Sequence, residues 1–467
     1  VSYEEAFEAM AAGNYHAAVP LLEKAARQTT YTSDLINNAY TLALYRIGDK
    51  KRLADVSFDF ANSLVEHDPG SAMDYFQRAL IAGLDPSLTR RIGEIFEKWA
   101  ETAKRCPLDR PVTRVAHIAG SLGPAQASTA YLKLLVSSLK QVGIESSIFT
   151  TESTASWFFN ASGVPLSQQM DLGAEVEIAS VEGDFVERAQ RIAAAVQRSG
   201  VQVSFVHSGL EEQITARVAA LRPVPIQIHV DRAGEMDADI FDGRIHLFQN
   251  GVERNRFTNA PSEWIPPTSD IEIRLQMSEP ITREAMGLQS AGSVSATFGN
   301  LNKVASTGYL RALCEIMKRF PKHFHLFAGA GDVKAIRPHL HSQGILPRVR
   351  FLGNLGDVSP LFNVIDVYLA PFPKPSCRSV LEAMGAGKPV VALRFPPDSS
   401  SNSAAELVGL RDLTAPGEAD YIETVDRLLR NSDLRAQQGQ MLRDRFRSEF
   451  RPARLGERYK QFIEHFL

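Results

Sequence analysis

Three cysteines in 467 residues, Cys106, Cys314 and Cys377, are too few and too scattered for a disulfide framework. None pairs with another as C-x-x-C, so no zinc site is suggested either. No apolar run reaches the length of a membrane span, and the opening residues Val1-Ser-Tyr-Glu-Glu do not form a signal peptide. These absences point to the cytoplasm. The chain starts on Val1 rather than Met, as a fragment of a longer protein would. A formal net charge of −3 argues against a nucleic-acid-binding body. G-x-G-x-x-G is missing from the first strand-to-helix loop, so no dinucleotide site is inferred. What is present is ordinary core material, 44% hydrophobic and 22% charged residues, in a chain long enough for about three domains.

Residues 1–105 read as helices. Apolar residues recur at three and four, as Ala6, Met10, Val19, Leu22, Ala25 and Ala26. Gly13-Asn-Tyr15 separates two helical stretches, and Gly48-Asp49 repeats the pattern close to a period of roughly 34 residues later. A weaker third unit runs through Asp68-Pro-Gly70, Phe76 and Ala79. The pattern resembles tetratricopeptide repeats. It suits a groove for a protein partner, and equally a helical cap that buries Phe96 and Trp99. Cys106-Pro-Leu-Asp-Arg-Pro111 reads as a linker.

Residues 112–275 read as βαβ units. The strand Val115–Ala119 leads to Gly120-Ser-Leu-Gly123 and a helix near Ser128–Val142. A second strand covers Glu145–Phe149. Further on, the strand Val201–Val206 delivers His207 to its C-terminal edge. The strand Pro225–Val230 does the same for His229 and Asp231. Each is an acid–base candidate, and each also suits an ordinary core or loop position.

Residues 276–450 repeat the architecture. A short helix is expected over Thr282–Met286, and a strand over Ser293–Phe298. The loop Phe298-Gly-Asn-Leu-Asn-Lys303 follows, with Lys303 expected to open a helix through Leu313 and Met317. Further strands are expected at His323–Phe327, before Ala328-Gly-Ala-Gly331, and at Val349–Phe351, before Gly353. The strand Val367–Ala370, a proline-rich loop, a helix from about Ser379 to Gly387 and the strand Val390–Leu393 complete the pattern. A lysine beside a helix N-terminus suits a diphosphate, and Glu382 one turn into the helix suits a ribose. The same residues also suit a surface lysine and a dipole-pairing carboxylate. Residues 451–467 are expected to form a last helix that crosses back to the domain at 112–275.

Two such α/β domains resemble a GT-B glycosyltransferase, here behind an all-α tetratricopeptide-like domain. Ala220-Leu-Arg-Pro-Val-Pro-Ile-Gln227 and Phe298-Gly-Asn-Leu-Asn-Lys303 resemble segments of O-GlcNAc transferases. His323-Phe-His-Leu-Phe-Ala-Gly329 and Ala370-Pro-Phe-Pro373 resemble the bacterial cytoplasmic adhesin glycosyltransferases. The resemblance implies a nucleotide-sugar site at Phe298, Gly299, Asn300, Lys303, Gly329, Gly353, Cys377, Arg378, Ser379, Val380 and Glu382. It implies catalytic roles for Lys303 and for His207, His229 or Asp231. It further implies inverting transfer from a UDP-sugar to a protein side chain, with the UDP-sugar as co-substrate and no other cofactor. No D-x-D motif sits in a suitable place, in keeping with a metal-independent reaction. Three departures stand out. His229-Val-Asp-Arg-Ala-Gly234 replaces a G-H-P-type motif. Asn354-Leu-Gly-Asp357 replaces expected basic residues. Lys374 holds the first position of an E-x7-E pattern ending at Glu382. They leave open a retaining GT-B enzyme building a polysaccharide or lipid-linked sugar, and a non-catalytic repeat scaffold.

Overall fold

The computed structural model describes residues 3–31, 33–82, 86–100, 108, 111–120, 122, 127–150, 171–178, 185–207, 209, 212–231, 238–255, 260–396 and 399–467. The expected linker residue Cys106, the loop residues Ser121 and Gly123, and the segment Arg232-Ala-Gly234 lie outside these ranges.

Six helices come first: α1 (Tyr3–Ala11), α2 (Tyr15–Gln28), α3 (Asp34–Ile47), α4 (Lys50–Leu64), α5 (Pro69–Ala82) and α6 (Pro86–Ala100). Gly13 and Gly48 turn the chain after α1 and α3 with φ of +74° and +77°, a region that favours glycine. The next residues, Asn14 and Asp49, cap α2 and α4 by accepting from Ala17 N–H and Arg52 N–H, each at 3.2 Å. One turn-and-cap device thus recurs, in line with the repeat reading.

The first α/β lobe contains β1 (Arg114–Ala119), α7 (Ala127–Gln141), β2 (Glu145–Thr150), β3 (Glu175–Ile178), α8 (Phe185–Arg198), β4 (Val203–Val206), α9 (Gln213–Ala220), β5 (Ile226–Asp231), β6 (Gly243–His246), α10 (Gln249–Arg254) and β7 (Ser262–Trp264). Then α11 (Ile271–Met277) bridges to the second lobe. That lobe holds β8 (Ser293–Phe298), α12 (Thr307–Arg319), β9 (His323–Ala328), α13 (Arg337–Ser342), β10 (Val349–Phe351), β11 (Val367–Leu369), α14 (Cys377–Gly385), β12 (Val390–Leu393), α15 (Ser403–Val408), β13 (Thr414–Ala415), α16 (Glu418–Arg430) and α17 (Ser432–Glu449). Last comes α18 (Leu455–Glu464).

Both sheets are parallel. Their orders are β3-β2-β1-β4-β5-β6-β7 and β10-β9-β8-β11-β12-β13. Each reverses its winding direction once, between β1 and β4 and between β8 and β11. At such a switch point the loops leaving neighbouring strands part on opposite faces and open a crevice.

The helical domain is not a separate body. One continuous core runs from Ala6 and Phe96 into Ala189, Val218 and Phe241 of the first lobe. Trp99 carries the Arg217 guanidinium 4.4 Å from its ring centroid, and its ring lies 6.4 Å from that of Phe185. Asp239 N–H donates to Glu97 Oε1 at 2.6 Å. Burial lowers the pKa of Arg188 and of Arg217. These helices therefore pack, through α5 and α6, on α8 and α9, the helices that flank the first sheet. On another face α18 packs on α7. A Cβ added at Gly456 would lie 2.1 Å from Ser138 O, and Tyr131 OH lies 2.9 Å from Tyr459 OH.

One expected element is absent. Thr282–Met286 forms tight turns up to Gly287 rather than a helix, closed by three-residue hydrogen bonds such as Met286 N–H to Arg283 O. Five residues after a proline close too few turns to repay helix nucleation.

Candidate functional site

The edge of the second sheet is shaped by glycine. The loops after β8, β9 and β10 stack at Gly299, Gly329 and Gly353. Gly329 N–H donates to Gly353 O at 2.7 Å, and Gly299 N–H donates to Ala328 O at 2.9 Å. A Cβ at Gly329 (φ +142°) would sit 1.7 Å from Gly299 O, and one at Gly299 (φ +119°) would sit 2.4 Å from Ser376 Oγ. No other residue type fits either place. This close approach brings the β8 loop against the start of α14. Phe298 and Val380 are wholly buried, with Phe298 edge-on to Phe362 and Tyr368. Their side chains are core and serve the site by holding its backbone.

Lys303 does not open α12. It ends a tight 3-10 turn, Leu301–Lys303, and α12 begins at Thr307. The Asn300 side chain accepts from Asn302 N–H at 2.9 Å, and Ser306 Oγ accepts from Tyr309 N–H at 3.3 Å. Two local caps therefore divide what the sequence pattern suggested was one helix start. Lys303 Nζ instead crosses to α14 and donates to Pro375 O at 3.2 Å. There α14 starts at Cys377, one turn's fraction earlier than expected. Its N-cap, Ser376, makes no side-chain cap hydrogen bond, so α14's first N–H groups receive no side-chain cap from it. Ser379 is buried behind them. Cys377 Sγ donates to Ser403 Oγ at 3.3 Å. Burial pushes its thiol pKa up, against the opposing influence of Ser403 and the Lys303 charge.

Glu382 is neither solvated nor merely dipole-paired. Its side chain is 4% exposed, and Oε1 receives Arg378 Nε at 3.0 Å. The same oxygen meets a guanidinium nitrogen of Arg274, from α11.

The edge of the first sheet carries imidazoles and carboxylates. His207 follows β4, and its Nε2 lies 2.8 Å from Nδ1 of His117 on β1. His117 Nε2 lies 3.1 Å from Ser146 Oγ, and the two rings stack with centroids 5.1 Å apart. His229 is buried on β5 with its ring 5.2 Å from Phe241. Asp231 ends β5, and its Oδ2 is 3.4 Å from Nδ1 of His246 on β6. Of the expected trio, His207 lies beside His117 and Asp231 beside His246, while His229, opposite Val206 in the β4–β5 register, lies beside Phe241.

The two edges approach each other where Gln249 N–H, at the start of α10, donates to Glu406 Oε2 of α15 at 3.2 Å. Glu406 also raises the Cys377 pKa, which puts that contact near the start of α14. Sequence reasoning missed His117, His246, Arg274 and Glu406. For the two histidines a signal existed, an imidazole inside otherwise apolar strand runs. For Arg274 there was none, because its partner Glu382 is 108 residues away.

Residues 293–431, nearly the whole second lobe, match the sequence family described as Glycosyl transferases group 1. No curated protein matches the chain. Among solved structures, an O-GlcNAc transferase mutant from Thermobaculum terrenum is 16% identical at a TM-score of 0.57, over 99% of this chain and 97% of that one. Anabaena HepE, solved with UDP and glucose, is 14% identical at 0.59, over 76% of this chain and 100% of that one. A glycosyltransferase from Rickettsia africae is 11% identical at 0.59, over 76% and 99%. At such identities the likeness is one of fold, and that fold is GT-B.

Proposed function

Starting from a GT-B glycosyltransferase whose second lobe is a group 1 glycosyl transferase domain, we propose that the chain transfers a hexose or N-acetylhexosamine from a UDP-sugar to a protein side chain. The proposed reaction proceeds in the cytoplasm, with inversion and without a metal or other cofactor. The observation that carries this reading is Lys303 Nζ held at the N-terminal end of α14 by Pro375 O.

A diphosphate lying there meets one cation and the first N–H groups of α14, at Cys377, Arg378 and Ser379. Gly299, Gly329 and Gly353 let the backbone come close to it. In a single displacement the acceptor oxygen or amide nitrogen bonds to the anomeric carbon while the bond to the diphosphate oxygen breaks. Lys303 and the helix end take up the charge that develops on the leaving group. The acceptor's proton passes to the first lobe, to His207 or to the Asp231–His246 pair. Glu382 accepts from the ribose. Support for a nucleotide-sugar donor comes from HepE, whose structures hold UDP, glucose and UDP-glucose. Support for a protein acceptor comes from the O-GlcNAc transferase likeness, which includes the helical domain. A second reading, a retaining enzyme that builds a polysaccharide or lipid-linked sugar, draws on the resemblance to the E-x7-E helix, in which Glu382 holds the second position.

The test is a screen of UDP-, GDP- and dTDP-sugars for hydrolysis and thermal stabilisation, with and without EDTA. Stabilisation by a UDP-sugar and EDTA-insensitive turnover are expected. Binding of none would leave the scaffold reading standing. Anomeric NMR of the product separates inversion from retention.

A further inference from the structure

The segment between the lobes reaches into the donor side of the crevice. Asp270 precedes α11, and Arg274 lies one turn in. Arg274 Nε donates to Asp270 Oδ1 at 2.8 Å, and one terminal nitrogen donates to Asp357 Oδ1 at 2.5 Å. Its other terminal nitrogen donates to Glu382 Oε1. The three contacts are unequally shielded. Asp270 and Asp357 side chains are 34% and 39% exposed, whereas Glu382 is 4% exposed and Arg274 itself 18%. The pairing with Glu382 is therefore the one least screened by solvent.

Arg378 adds a second guanidinium to the same oxygen, Oε1. Among the described residues no donor meets Glu382 Oε2. A carboxylate gripped through one oxygen by two planar, permanently charged groups cannot swing, so the direction of its second oxygen is set. We infer that Arg274 is a positioning residue for the donor: it holds Glu382 so that Oε2 accepts from the ribose hydroxyls of a nucleoside diphosphate. This rests on the donor reading above. Burial alone would weaken the Arg274 charge, but the carboxylates around it more than offset that and raise its pKa. The arrangement also ties the interlobe segment to the residue that reads the ribose.

A cluster that merely fastens α11 to the second lobe would lower the melting temperature when broken and leave ribose preference untouched. Calorimetric binding of UDP and of 2′,3′-dideoxy-UDP separates the two roles. Wild-type protein is expected to prefer UDP by about 10- to 100-fold, the worth of a hydrogen bond to a charged group. In Arg274→Met that preference falls to within a few-fold, while affinity for the dideoxy compound stays near wild type. Arg274→Lys keeps the cluster's charge and guards against misfolding. A lysine cannot span three carboxylates, so the preference is expected to fall there too. If wild type discriminates and a folded Arg274→Lys discriminates equally, the inference is overturned alone. If wild type binds both compounds equally, or binds neither, the ribose reading beneath it fails as well.

Discussion

The two parallel sheets present the same crevice and fill it with opposite chemistry. At the β8/β11 switch point stand stacked glycines, a lysine and a helix N-terminus, all suited to negative charge. At the β1/β4 switch point stands a His117–His207 pair, with Asp231–His246 two strands along. One fold, used twice, thus carries a cation and a free helix end at one edge and imidazoles with a carboxylate at the other, the division of labour proposed above for leaving group and acceptor. What differs is a few side chains at strand ends, because strands and covering helices tolerate change there without losing core.

The comparison breaks most sharply at Lys303. Lys303→Ala is expected to cut transfer by about two to three decades and leave the melting temperature unchanged. Unchanged kinetics with the true donor would remove the anionic half of the comparison. On the other edge, His207→Gln and His246→Gln are to be compared. The one that supplies the base should lose about 100-fold in transfer while donor affinity holds. If both variants lose donor affinity instead, the two edges do not divide the work. Glu382→Ala should be milder, raising the donor KM about 10-fold with kcat little changed, since a ribose is held equally in ground and transition states. A large kcat loss at saturating donor would instead favour the retaining reading.

The smallest effect sharpens a contrast between histidines. In the second lobe, Ser293, His323, Ser295 and His325 form one buried chain, with links of 2.7, 2.8 and 2.7 Å. The single Ser295 proton can be donated to only one of the two rings, so the order of donors is dictated along the chain. Burial, with some help from the Arg348 charge, pushes the His323 pKa down to about 3, and burial lowers His325 as well. Their folded pKa values lie below the unfolded value near 6.5. Their contribution is therefore full above about pH 6.5 and is lost progressively as pH falls below it, for His323 down to about 3. The slope is about 1.4 kcal/mol per pH unit for each histidine. Denaturant midpoints measured from pH 7 to pH 4 should fall accordingly, and should fall less in His323→Phe if that variant folds. A flat profile would contradict neutral burial of these rings.

Much of this was legible in the residues. Continuous apolar runs such as Val201–Val206 and Val390–Leu393 cannot be exposed on either face, so they announce a parallel sheet. Glycines at Gly13 and Gly48 announced helix ends. The strand β11, the proline-rich loop and the helix holding Cys377 and Glu382 could be read locally, and so could the strand β8 that leads to Lys303. Less was legible where local signals competed. The turn at Leu301–Lys303 won over a longer helix because Asn300 and Ser306 both cap nearby.

What the chain by itself determined is therefore its periodicity: which segments are helix or strand, where loops leave strand ends, and that two α/β halves follow a run of paired helices. Tertiary structure decided which partners meet. It joined the helical domain and the first lobe in one core, paired His207 with His117, and brought Arg274 to Glu382. The physical reason is range. Backbone hydrogen bonding and burial periodicity act over a few residues and leave a mark in sequence. An ion pair between distant segments is set by packing geometry, and each of its members, read alone, is indistinguishable from a solvated charge.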